Sequence, residues 1–132
     1  MKRLHISLGV KDLKQSIRFY TELFGETPTV TKPEYAKWML EDPRVNFSIS
    51  SEYETKGVGH LGIQAETEDE LREIYNRIRN SQGEVFEEGH TTCCYAKSEK
   101  SWVTDPNGVS WEAFLTTGAS QTYRNEETAC CA

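Results

Sequence analysis

The chain has 132 residues, enough for one domain with a real core, and a net charge of −6. That charge argues against a nucleic-acid backbone as partner. No run of about eighteen apolar residues is present to span a membrane, and Met1-Lys2-Arg3-Leu4-His5 lacks the apolar stretch of a signal peptide, so a cytoplasmic protein is expected.

Leu4 to Val10 alternates, with Leu4, Ile6, Leu8 and Val10 on one face and His5, Ser7 and Gly9 on the other, which predicts a half-buried strand. Asp12, with Gln15 three residues on, reads as a capping box. Leu13, Ile17, Tyr20 and Phe24 then form a helical stripe that Gly25 ends. Three short strands are expected at about Pro28 to Thr31, Ala36 to Glu41 and Val45 to Ser51, punctuated by Pro33 and Asp42-Pro43.

The same series then recurs. His60 to Glu66 alternates, Thr67 and Glu70 form a second capping box, and Leu71, Ile74, Tyr75 and Ile78 give a second stripe, with Gly83 closing the helix. Strands follow at about Glu84 to Glu87, Ser101 to Thr104 and Ser110 to Thr116. The last opens on Asp105-Pro106-Asn107-Gly108, a turn in which proline presets φ and Asn-Gly tolerates positive φ. The chain therefore reads as a tandem repeat. The fold class is α+β, with two βαβββ modules at 1–56 and 57–117. The polar segment 118–132 is expected to be a flexible tail carrying a cysteine pair.

A pseudo-twofold between the modules sets their first and last strands side by side. One face of each sheet covers a helix, and the opposite faces are left to form a cleft between curved sheets. His5, His60 and Glu112 all fall on that second face. A lone histidine on a strand is more often structural than a ligand. Three ligand-type side chains on one face of three separate strands point instead to a metal. Glu112 adds its own argument, because a carboxylate inside an apolar strand is rarely buried without a partner or a cation. Aligning Val45-Asn46-Phe47-Ser48 with Val109-Ser110-Trp111-Glu112 sets Ser48 opposite Glu112. The ligand set is then two histidines and one carboxylate with open positions. Such a set suits Fe(II) oxygen chemistry, though Mn(II) or Zn(II) also fit it.

Read together, these motifs resemble the vicinal oxygen chelate (glyoxalase/bleomycin resistance/dioxygenase) superfamily over about Met1 to Thr117. The resemblance rests on His5, His60 and Asp-Pro-Asn-Gly-x-x-Trp-Glu ending at Glu112. Glyoxalase I is similar but has a fourth protein ligand, where this chain has Ser48. Fosfomycin thiol transferases share the three-ligand set and stand as an alternative. The run Cys93-Cys94-Tyr95-Ala96 resembles the C–As lyases and the related cadmium-induced proteins. That resemblance implies Fe(II) held by His5, His60 and Glu112, and a trivalent organoarsenical held by Cys93 and Cys94. It further implies O2 as co-substrate and arsenite as product. It names no further side chain as catalytic. A homodimer is in keeping with the superfamily.

The dithiol supports this on its own chemistry. A trivalent arsenical RAs(OH)2 has two exchangeable oxygens, and two soft thiolates replace both. The blander alternative is that Cys93 and Cys94 are two small apolar loop residues. Among the remaining residues, Tyr95 and Lys100 are candidate latches of a lid over the cleft. His90 reads as an exposed loop histidine, and Trp38, Trp102 and Trp111 as core. Cys130 and Cys131 read either as accessory thiols or as part of a solvated tail. The competing functional class is a soft-metal sequestering protein that holds cadmium or arsenite through sulfur alone.

Overall fold

A computed structural model describes residues 1–81, 83–93 and 96–119, and the side chains of all of these except 91–93, 96, 97, 118 and 119. Among the described residues there are eight strands and two helices: β1 (Arg3–Gly9), α1 (Leu13–Phe24), β2 (Val30–Lys32), β3 (Tyr35–Glu41), β4 (Arg44–Ser50), β5 (Gly57–Ala65), α2 (Glu68–Asn80), β6 (Glu84–Cys93), β7 (Ala96–Thr104) and β8 (Ser110–Ala119). The strands form one mixed sheet in the order β2-β3-β4-β1-β5-β8-β7-β6. The order reads as the same four-strand unit twice, head to head. Within each unit the first and last strands run parallel, β1 with β4 and β5 with β8, and the units join through antiparallel β1 and β5. None of the described helices is long and apolar enough to cross a membrane.

The helices form where local chemistry starts and stops them. Asp12 accepts from the Gln15 amide at 3.0 Å, and Gly25 ends α1 at φ 72°, a left-handed position that glycine adopts without steric cost. Thr67 accepts from the Glu70 amide at 3.1 Å, while the Glu70 carboxylate accepts from the Glu66 amide at 2.8 Å. The second box thus reaches back one residue further than expected. Ser81, not Gly83, caps α2, with its amide on the Ile78 carbonyl.

Each helix covers its own half-sheet. Leu13, Ile17, Tyr20 and Phe24 of α1 pack on Ala36, Trp38, Leu40, Val45, Phe47 and Ile49. Leu71, Ile74 and Ile78 of α2 pack on Ala65 and Ala113. The polar face of β1 is nevertheless the more enclosed one. Arg3, His5 and Ser7 are 6%, 7% and 1% exposed, whereas Leu4 is 46% exposed. The sheet closes over that polar face, where Arg3 donates to the Leu40 carbonyl and to Glu41, and Ser7 bonds the Tyr53 hydroxyl at 2.7 Å.

Two expectations need correction. The second module's middle strands are much longer than Glu84 to Glu87 and Ser101 to Thr104, forming a hairpin from Glu84 to Thr104 in which Cys93 pairs with Ala96. The reason lies in placement. β6 is an edge strand, so polar side chains on it cost little, and no apolar alternation marks it in the sequence. A register shift between Glu87 and Gly89, with Gly89 at φ 70°, bends the strand at a bulge. In addition, β8 continues to Ala119, with Gly118 opposite Lys97 and Ala119 opposite Ala96, so it takes in the first two residues of the segment read as tail.

Candidate metal centre

Register alone brings three strands to one point. His5 on β1 pairs with Gly62 on β5, and Gly62 pairs with Glu112 on β8, so these positions form a row across the sheet. His60 lies two residues before Gly62 on the same face, opposite Ser7. Gly62 is what lets the row close. A Cβ there would stand 2.5 Å from the Glu112 carbonyl oxygen and 3.2 Å from the Glu112 Cβ. A glycine inside a strand marks such a close approach.

The three side chains meet tip to tip and are all buried. His5 Nε2 stands 3.1 Å from His60 Nε2, and Glu112 Oε1 stands 3.6 Å from each. Ligand atoms about 2.0–2.2 Å from one cation would be separated by edges of this length. The His5 Nδ1 lies 3.0 Å from the Asn46 carbonyl. A carbonyl only accepts, so Nδ1 carries the proton and the Nε2 lone pair is free to face the cluster. His60 Nδ1 is buried without a hydrogen-bond partner among the described residues. Two imidazole nitrogens and a carboxylate oxygen, close-set and shielded from water, suit a first-row divalent cation.

The electrostatics favour the ligand forms. Burial, only partly offset by Glu112, pushes His5 down to about 4, so it is neutral at pH 7. Burial by itself would raise the Glu112 carboxyl. The charge of Lys100, with the two imidazoles beside it, outweighs that, and Glu112 lies well below the usual carboxylate range. Lys100 Nζ donates to Glu112 Oε2 at 2.6 Å.

Around the cluster lies a narrow cleft of about 40 Å³, lined also by Tyr35, Lys37, Asn46, Ser48, Ser98, Phe114 and Thr116. Phe114 sets its edge against His5 at 5.2 Å between ring centres, and Trp102 against His60 at 5.0 Å. Asn46 Nδ2 donates to Gln64 Oε1 at 3.1 Å, which joins the two modules beside the site. Lys37 reaches the cleft from β3, its pKa lowered by burial.

The structure thus brings His5, His60 and Glu112 together, and Ser48 lines the same cleft with no carboxylate or imidazole to offer. The structure places Lys100, the candidate latch, at the floor of the site. It sits within β7, paired on both flanks, 3% exposed and bonded to Glu112. Cys93 ends β6 opposite Ala96. Cys94, Tyr95, Cys130 and Cys131 lie outside the described residues. His90 is exposed but stands on β6, not in a loop, 3.9 Å from Glu99. Trp38 is core, whereas Trp102 is a wall of the site, with Nε1 on Glu88 Oε1 at 2.6 Å. Sequence reasoning set Asn46 on the polar face and Lys100 over the cleft, but missed Gly62 and the bond between Lys100 and Glu112. Gly62 alone carried a signal, as an unexplained glycine between His60 and Gln64.

A paired βαβββ sheet with a buried His–His–carboxylate cluster beside its central seam defines a class of folds with a metal-ready cleft. The chain belongs to the Glyoxalase/Bleomycin resistance protein/Dioxygenase superfamily, whose family model matches residues 2–113. It is 41% identical over 134 residues to a trivalent organoarsenical cleaving enzyme of a Bacillus species, covering 99% of this chain and 83% of that protein. It is 32% identical to the cadmium-induced protein CadI of Mycobacterium bovis, over 93% of this chain and 82% of that protein. Among solved structures, the Mn(II)-bound glyoxalase of Novosphingobium aromaticivorans has a TM-score of 0.63 at 12% identity, covering 98% of this chain and 44% of that one, a likeness of fold.

Proposed function

We propose that this protein cleaves the carbon–arsenic bond of trivalent organoarsenicals, methyl or aryl, and releases arsenite, with Fe(II) held by His5, His60 and Glu112 and O2 consumed. The observation that carries the reading is the buried triad, whose ligand atoms lie within 4.8 Å of one another, in a chain 41% identical to a relative named for this reaction. Fe(II), when bound, supplies the dioxygen chemistry that breaks the bond. His5 and His60 would each offer a ring nitrogen and Glu112 one carboxylate oxygen. Ser48, in place of a fourth ligand, leaves room beside them. Phe114 and Trp102 hold the imidazoles in place and keep bulk water from them. Cys93 and Cys94 hold the substrate: RAs(OH)2 and two thiols give the dithioarsenical and two waters, leaving R as the group still to be removed.

The test is anaerobic loading with Fe(II), then addition of O2 and methylarsonous acid, with arsenic speciation by chromatography. Arsenite is the expected product, and return of intact arsenical would overturn the reading. Cys93→Ser and Cys94→Ser are each expected to keep iron and lose arsenite release. Glu112→Ala is expected to lose iron with the fold intact by circular dichroism.

The likeness to a cadmium-induced protein favours a second reading, sequestration of a soft cation by sulfur. A sequestering protein needs no nitrogen–oxygen triad. Under that reading Glu112→Ala would bind cadmium as tightly as the wild type.

A further inference from the structure

Glu112 turns its two oxygens to different neighbours. Oε1 faces the imidazoles, at 3.6 Å from each Nε2, and Oε2 accepts from Lys100 Nζ at 2.6 Å. Both side chains are closed off, Lys100 at 3% and Glu112 at 5% exposure. The ammonium is held from further sides as well, 5.9 Å from the ring centres of Trp102 and Phe114, within cation–π reach. Lys100 is set opposite Phe114 on the neighbouring strand, two residues along β8 from Glu112. It therefore reaches the carboxylate from β7, across β8 from the strands β5 and β1 that carry the histidines.

A carboxylate facing a divalent cation has two ways to bind. It can close both oxygens on the ion or offer one. The first fills a position that an exchangeable group would otherwise take. Swinging Oε2 toward the cation would take the buried ammonium's carboxylate partner from it, and an unpaired charge in such a place is strongly disfavoured. A short, charge-assisted bond of this kind also fixes the carboxylate plane. We propose that Lys100 is a positioning residue that keeps Glu112 a one-oxygen ligand, and so keeps positions open on the metal for substrate and O2. This rests on the reading that the triad holds a divalent cation. A purely structural purpose explains the pair poorly, because β7 and β8 are already joined by a ladder from Ala96 to Thr104.

Co(II), bound by the whole chain without substrate, provides the probe. Its visible bands are intense at low coordination number and weak at six. Wild type and Lys100→Arg, which keeps a donor, are expected to give the intense form. Lys100→Met should bind Co(II) stoichiometrically with bands weaker by about twofold as the freed Oε2 closes on the ion. Identical bands in wild type and Lys100→Met would overturn the role of Lys100 alone. Failure of the wild type to take up Co(II) would overturn the metal reading itself. A second measurement needs no variant. In the infrared difference spectrum between metal-bound and metal-free wild type, a one-oxygen carboxylate shows widely split stretching bands. A narrow splitting would overturn the proposal even if Lys100→Met did not fold.

Discussion

At the scale of single residues, the centre depends on small things around the ligands as much as on the ligands. Gly62 is the clearest case, since any side chain there meets the Glu112 backbone. Gly62→Ala is expected to weaken Co(II) or Fe(II) binding by about 10- to 100-fold, the range for groups that orient ligands. Competition titration against a chelator reads this, and unchanged affinity would show that the strands yield without moving Glu112. His5 provides a second prediction, on the metal-free protein. Its folded pKa is lowered from 6.5 to about 4, so between those values the unfolded chain holds the extra proton. Stability therefore rises with pH through that window. The contribution, roughly 3 kcal/mol at full size, is present above 6.5 and lost as pH falls toward 4. Glu112, depressed below the usual carboxylate value, gives the same sign at lower pH. Urea unfolding across pH 4 to 7 checks it, and a slope unchanged in His5→Gln would remove His5 as the cause.

At the scale of elements, stability comes from two separate helix–sheet contacts. Leu71, fully buried on α2, is the largest side chain of its contact with so little exposure. Leu71→Ala is expected to cost about 2–5 kcal/mol, and loss of the exposed Asp12 cap in Asp12→Ala about 1 kcal/mol. Chemical denaturation of the two variants would show equal losses only if the buried stripe of α2 mattered less than its place implies. These elements were also where the sequence spoke most plainly. Caps at Asp12 and Thr67, stripes of period 3.6 and the paired Asp-Pro turns mark both modules. The hairpin of β6 and β7 was legible only at its base, because an edge strand in water has no need to alternate. Lys100 reads as a latch in the sequence for the same reason: its partner, Glu112, is twelve residues away and set by register between strands. The cluster of His5, His60 and Glu112 was legible because period two fixes a face. Gly62 was not singled out, because the room a glycine makes shows only when the neighbouring strand is in place.

At the scale of the whole molecule, the sheet continues in the described residues to Ala119, and residues 120–132 are mostly polar in sequence. A chain ending at Ala119 is expected to keep its fold and, if the proposed function holds, its arsenite release at saturating arsenical. Abolished turnover with iron retained would bring the tail thiols Cys130 and Cys131 into the chemistry. The seam between β1 and β5 has a further consequence, which belongs to the order of synthesis. At translation speeds of about 5–20 residues per second, β1 waits seconds for the strand that completes it. Until residues 57–65 emerge, the nascent first module ends on a bare strand edge whose backbone seeks a partner. A neighbouring nascent copy on the same messenger would offer an edge of the same kind. The fragment 1–56 is expected to pair with itself through β1 in sedimentation experiments, and adding 57–119 in trans should dissolve that pair into the native seam.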